Sequence, residues 1–320
     1  MIINRLIDAA SQRIRRIAFA DAQDPRVQQA ALSCAERGIC RPILIAASKD
    51  EAQRLQEVLS ISGVEVASVD GYSELTAAHL HTRRSAKGLT AADAAELSRD
   101  PLYVVGTLVA TGLADGAVAG SVSTTPDVVR AALWTVGCAP GITVVSSFFL
   151  MAWPETCMVY ADCGVVPQPT SEQLTDIAVS AAENFQKLTA EESRVAFLSF
   201  STKGSATHAS VDHVRSAYER FRRLRPDIPA DGELQFDAAT VPSVADRKAP
   251  NSTLKGSSNV LIFPDLNAGN IAYKITERLG GAVALGPILQ GLAKPYCDLS
   301  RGCTADDIVL VAAITSLMCD

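Results

Sequence analysis

The chain has 320 residues, 48% of them hydrophobic and 20% charged, with a formal net charge of −6 and a pI near 5.3. That length suits two ordinary domains or one large α/β domain with a sizeable core. The acidic balance argues against a nucleic-acid groove or an anionic membrane as the main partner, and no uninterrupted apolar run reaches the roughly 20 residues that a membrane helix needs.

The opening "MIINRLIDAASQRIRRIAFAD" spreads Arg5, Asp8, Arg13, Arg15 and Arg16 through an amphipathic pattern, whereas an export signal needs an unbroken apolar stretch. From there, short β-branched runs are expected as strands at 16–20, 42–46, 116–120, 141–150, 157–162, 194–200, 259–264 and 281–286. Helical periodicity is expected at 25–38, 72–83, 90–98, 100–113, 126–136, 171–188, 210–224, 266–279 and 304–318. This alternation predicts mostly parallel sheets covered by helices, an α/β fold. The runs 141–150 and 157–162, joined by "MAWPET", read instead as an antiparallel hairpin, and a change of domain is expected near residue 140.

Eight cysteines show no CxxC pair and no Cys/His cluster at zinc spacing, so reduced thiols in a cytoplasm and no metal site are expected. The four histidines form neither HExxH nor a partner set for a nucleophile elbow, and read as structural or solvent-facing. No GxGxxG is present, which argues against a conventional dinucleotide site.

Ligands of open α/β sheets bind where strands end and helices begin, so three loops stand out. In "STTPDVVR", Ser123, Thr124 or Thr125 can cap a helix with Pro126 in its first turn, and Arg130 lies one turn on. Free N–H groups, hydroxyls and a guanidinium together suit a phosphate or carboxylate. The segment "HLHTRRSAKG" places Arg83, Arg84 and Lys87 at a helix end, where cations complement the macrodipole whether or not they bind a ligand. The loop "FSTKGSATH" is rich in hydroxyls but lacks P-loop spacing, and a tight turn explains it equally well.

The stretch "KPYCDLSRGCTADDIV" gathers Asp298, Ser300, Arg301 and Asp307 before an apolar helix. Thr304 and Asp307 fit a capping box, which accounts for that carboxylate by itself. The hydroxyl, guanidinium and carboxylate also suffice to converge on one anion at the helix start.

These stretches resemble the phosphate acetyltransferases and their acyltransferase relatives. The resemblance runs through "FADAQDPRV", "AKGLTAADA", "STTPDVVRAAL", "APGITVVSSFFLM", "SFSTKGSA", "DGELQFDAA", "FPDLNAGNIAYKI", "LGPILQGLAKP" and "DLSRGC". It implies two α/β/α domains of the isocitrate/isopropylmalate dehydrogenase type, 1–140 with 288–320 and 141–287, with the active site in the cleft between them. It implies reversible acetyl transfer between coenzyme A and phosphate by direct attack, with coenzyme A as substrate, no bound cofactor or metal, and a cytoplasmic homodimer. By motif position it assigns catalysis to Ser300, Arg301 and Asp307, and binding of phosphate or coenzyme A to Arg84 and Arg130 with Thr124 and Thr125. Arg83 is a rival to Arg84, disfavoured by the spacing to "KG". Cys297 and Ser123 depart from the family pattern, standing where many members carry Asn and His. A butyryl or broader acyltransferase, and an acyl-CoA-binding module without chemistry, are the alternatives.

Overall fold

A computed structural model describes residues 2–59 and 63–319; the first and last residues of the expected first domain lie outside these. In chain order the elements are α1 (Ile2–Ser11), β1 (Arg16–Phe19), α2 (Pro25–Glu36), β2 (Arg41–Ala46), α3 (Lys49–Leu59), β3 (Glu65–Ser68), α4 (Ser73–Arg84), α5 (Ala91–Leu97), α6 (Pro101–Thr111), β4 (Gly116–Ala119) and α7 (Thr125–Thr135). They continue with β5 (Ser146–Ala152), β6 (Cys157–Ala161), α8 (Ser171–Thr189), β7 (Val195–Leu198), α9 (Ala209–Leu224), β8 (Ala230–Leu234), α10 (Phe236–Thr240) and α11 (Pro242–Lys248). The last are β9 (Val260–Ile262), α12 (Leu266–Arg278), β10 (Val283–Gln290), β11 (Tyr296–Asp298) and α13 (Ala305–Met318).

The described residues form two compact units, one of residues 3–140 with 292–319 and one of 141–291. The first holds a parallel five-stranded sheet of order β11-β4-β1-β2-β3. β4 and β11 are buried at every position, as strands covered on both faces must be. α6 and α13 are apolar on all sides because they are buried in the core layer, α13 against α2 and β4. Among the described residues no helix is long and apolar enough to cross a membrane.

The second unit holds six strands in the order β10-β5-β6-β9-β7-β8, antiparallel over β10-β5-β6 and parallel beyond. The expected hairpin is present, but its first strand starts at Ser146, not at 141. The strand expected at 281–286 runs on past Pro287 with a shift of register, and stays paired to β5 through Gln290↔Ser146. Residues 288–290 therefore pack with 141–287, and the chain returns to the first unit at Leu292. Sequence periodicity missed α1, α3, α10, α11, β3, β8 and β11; the three strands span three to five residues and α10 and α11 five and seven, too short to show a period.

Gly106 lets α6 and α7 approach: a Cβ there would stand 2.1 Å from Thr135 Oγ1 and 2.9 Å from its Cβ. Thr135 is fully buried and its hydroxyl donates to Ala131 O at 2.7 Å, so it has no room to yield. Gly106→Ala is expected to lower unfolding free energy by roughly 1–3 kcal/mol despite the better helix propensity of Ala. Urea denaturation checks this, and an unchanged or raised midpoint would contradict the close packing.

Candidate active site

Three neighbouring parallel strands, β11, β4 and β1, end at one edge of their sheet, and each leads through a short loop into a helix N-terminus. The helices are α2, capped by Asp24, α7, capped by Thr124, and α13, capped by Thr304. Unpaired N–H groups of these first turns give the edge its positive character.

The loops are tied together by side chains from the first. Asp21 Oδ2 accepts the Gly120 N–H at 2.8 Å and the Ser121 N–H at 2.9 Å. Burial pushes its carboxyl above the usual range, against the pull of those two bonds. Arg26 reaches further: Nη1 donates to Arg301 O at 2.9 Å and Cys303 O at 2.7 Å, while Nη2 donates to Ser121 O at 3.0 Å. Its charge is balanced by Asp24 at 2.7 Å, whose carboxyl is held below the usual range by that guanidinium.

Thr124 Oγ1 donates to Asp127 Oδ2 at 2.6 Å, and Arg130 Nη2 pairs with Asp127 Oδ1 at 2.6 Å. Arg130 Nε also donates to Tyr103 Oη at 3.3 Å, which leaves the guanidinium half exposed but oriented. Thr125 Oγ1 donates to Asp298 Oδ2 at 2.6 Å. Both threonine protons are thus committed to carboxylates. What α7 offers outward is its Arg130 guanidinium and its N-terminal dipole.

Ser300 and Arg301 are exposed on the loop that Arg26 clamps. Ser300 Oγ accepts the Gly302 N–H at 3.3 Å. The Thr304–Asp307 capping box is complete: Asp307 Oδ2 accepts the Thr304 N–H and O–H, both at 2.8 Å, and the Asp307 N–H donates back at 3.2 Å. Asp307 is exposed, so capping and proton chemistry are both open to it.

The two adjacent arginines of α4 differ in what they touch. Arg83 donates to Trp134 O and Val136 O, both at 3.2 Å, and so satisfies the end of α7. Arg84 lies 4.6 Å over the Trp134 ring, in a cavity of about 420 Å³ also lined by Lys87 and Cys138. Trp134 stands one turn beyond Arg130 on α7, so both candidate arginines are oriented by groups attached to that helix.

Sequence reading missed Asp21, Arg26, Tyr103 and Trp134 and gave Asp298 no role. Only Asp24-Pro25-Arg26 carried a local signal, as an N-cap followed by Pro at the first helical position. The loop "FSTKGSATH" turns its donors inward: Gly204 N–H and Ser201 O–H bond Glu233 Oε1 at 2.8 and 3.0 Å, and Lys203 pairs with Asp231. It is a tight turn around a buried carboxylate. Among the described residues, no group of three or more His, Cys, Asp or Glu is placed to hold a metal ion.

Comparison with known proteins places this arrangement among relatives. Residues 1–316 match the family model described as phosphate acetyl/butaryl transferase. A phosphate acetyltransferase of Paracoccus denitrificans is 45% identical over 98% of both chains. Solved structures of a phosphotransacetylase from Streptococcus pyogenes and of EutD phosphotransacetylase from Staphylococcus aureus superpose with TM-scores of 0.92 and 0.90, at 39% and 36% identity. In each case 99% of this chain and 97% of the other are covered. A branched-chain phosphotransacylase structure from Enterococcus faecalis, 18% identical with TM-score 0.68 over 96% of this chain and 100% of that one, shares the fold alone. With the match running nearly end to end, the chain belongs to the phosphate acetyl/butaryl transferase family.

Proposed function

We propose that this protein is a phosphate acetyltransferase that joins phosphate directly to the acetyl group of acetyl-CoA. The observation that carries the site is the exposed Ser300–Arg301 loop, clamped by Arg26 beside the N-termini of α7 and α13. A phosphate oxygen attacks the thioester carbonyl, a C–O bond forms, the C–S bond breaks, and the coenzyme A sulfur leaves with a proton. Guanidinium groups suit the phosphate because they offer a planar fork of donors at fixed charge. Arg84, Arg130 and Arg301 are given that role toward phosphate and the anionic groups of coenzyme A. Ser300 donates to the oxyanion or leaving sulfur, a contact worth roughly 3 kcal/mol in kcat when removed.

Asp307 handles the proton. In the reverse direction coenzyme A must lose its thiol proton, and a thiol of pKa about 8.5 is largely protonated at neutral pH. A carboxylate in reach accepts it, although the helix N-terminus favours the charged form and weakens the base. Thr124 and Thr125 act through their carboxylate partners and the backbone of the first turn.

We place the reaction in the cytoplasm, consistent with the thiols of Cys34, Cys40, Cys163, Cys297 and Cys303, which are free. The protein acts as a homodimer in this reading. Ile271, Ile275 and Leu279 recur every fourth position and are 57%, 53% and 84% exposed, an apolar row suited to a second copy.

Thiol release from acetyl-CoA is expected only when phosphate is present, and more slowly from butyryl-CoA. Equal release without phosphate would make the protein a thioesterase, and none at all a binding module. Asp307→Asn keeps a capping oxygen, so kcat should fall roughly 10²- to 10⁴-fold with little change in Tm. Near-normal turnover in that folded variant would reduce Asp307 to a cap. Arg84→Ala and Arg130→Ala should each raise KM for phosphate or coenzyme A roughly 10- to 100-fold, the loss of a charged hydrogen bond; unchanged kinetics in both would put the anion site elsewhere. Ile275→Asp should yield monomers in light scattering, and an unaltered dimer would move the interface off α12.

A further inference from the structure

Asp298 closes β11 two residues before Ser300 and is only 1% exposed. Its Oδ2 accepts the Thr125 hydroxyl at 2.6 Å, whereas Oδ1, equally buried, has no hydrogen-bond partner. Gly120 makes the room for that oxygen: a Cβ there would stand 2.2 Å from Oδ1, and the backbone has φ +104°. The following N–H, of Leu299, is spent on Ala119 O at 2.8 Å. One side chain therefore touches the first residue of α7, while its own backbone sets where the 299–304 loop begins. Burying a carboxylate with one oxygen unsatisfied is costly, and an amide or a hydrocarbon would fill a purely structural position more cheaply.

Resting on the transferase reading, we propose that Asp298 is a positioning residue for acetyl transfer, holding the start of α7, through Thr125, in register with the loop that carries Ser300 and Arg301. An ionised Asp298 only accepts, so it fixes the Thr125 proton inward and the Thr125 lone pairs away from itself. Protonation weakens that bond and slackens the joint between the two loops.

The groups around it leave this carboxyl poorly compensated. Asp21, from the loop after β1, is the charged group that acts on it, with the same sign. α7 contributes the neutral Thr125, and β4 contributes Gly120, which has no side chain. On its own strand Tyr296 and Cys297 are neutral, Cys297 pushed up to about 12 by burial and facing Thr315 of α13. Asp306 and Asp307 of α13 are exposed. Burial, with Asp21 adding to it, pushes Asp298 up to about 6 against the pull of the Thr125 hydrogen bond.

A carboxyl whose folded pKa is raised binds its proton more tightly in the folded state, so the penalty grows as pH rises from the ordinary range to about 6 and is fully present above it. Asp298→Asn removes that penalty at neutral pH, and its Tm should equal or exceed that of the wild type.

The test measures kcat and KM for acetyl-CoA and phosphate from pH 5 to 8, with Tm, in wild type, Asp298→Ala, Asp298→Asn, Thr125→Val and the Asp298→Ala/Thr125→Val double variant. Wild type should lose kcat/KM on the acid side of about 6, and Asp298→Asn should lack that limb. Asp298→Ala and Thr125→Val should each lower kcat roughly tenfold with KM changed far less, the double variant no more than the worse single, and Asn should restore most of what Ala loses. An Asp298→Ala protein of lowered Tm but wild-type kcat and pH profile would overturn the proposal, as would single losses that multiply in the double. Wild type without phosphate-dependent release at any pH would instead remove the transferase reading, and this proposal with it, an outcome seen before any variant is made.

Discussion

The Arg26 guanidinium is the constraint on which the candidate site depends. Three parallel strands end side by side, and from the start of α2 Arg26 donates to three carbonyl oxygens on the other two loops, those of Ser121, Arg301 and Cys303, from one planar group. A lysine, with one nitrogen on a flexible stem, could not hold such a fork of acceptors at fixed angles. Asp24 orients the guanidinium and caps α2 at the same time, so the start of α2 and the shape of the last loop are set by one ion pair. The loop is tied through its Arg301 and Cys303 carbonyls without a ligand, and groups already in place lose no interaction energy to reorganisation.

The electrostatic arrangement runs against first intuition. The site proposed for anions is floored by carboxylates: Asp21 and Asp298 buried beneath the loops, and Asp127 at the surface of α7. Each consumes donors that would otherwise face a substrate, namely the Gly120 and Ser121 amides and the two threonine hydroxyls. In the proposed reading, anion recognition is thereby left to guanidinium groups, whose charge does not titrate, and to helix N-termini.

Arg84 and Arg130 show the same economy. Neither is free to wander: the first lies on the Trp134 face, and the second is braced by Tyr103 and Asp127. Tyr103 and Trp134 also touch each other, with ring centroids 6.1 Å apart, so α6 and α7 carry both braces on one aromatic contact. Tyr103 is buried in the core and Trp134 half-buried against it, so the braces rest on packing that the fold already makes.

Local order was legible in the residues themselves. Helix caps such as Asp24-Pro25, Asp100-Pro101 and the Thr304–Asp307 box act within three or four positions, and the βα alternation needs only hydrophobic periodicity, so the α/β class and most helices could be read directly. The exposed candidates Ser300, Arg301, Asp307, Arg84 and Arg130 came from motif and family resemblance. What the chain order could not reveal is which groups meet across it. Arg26 and Arg301 are 275 positions apart, Thr125 and Asp298 are 173, and the Ser121 amide and Asp21 are 100. Those contacts exist because β4 lies beside β1 and β11, the last strand in the chain, lies beside β4, and no local pattern encodes those neighbours. Sequence decided the elements and their caps through short-range sterics and burial; tertiary structure alone decided that Thr125 serves Asp298 and that Arg26 holds the Arg301 and Cys303 carbonyls, because hydrogen bonds reach only about 3 Å and these partners meet only through strand order.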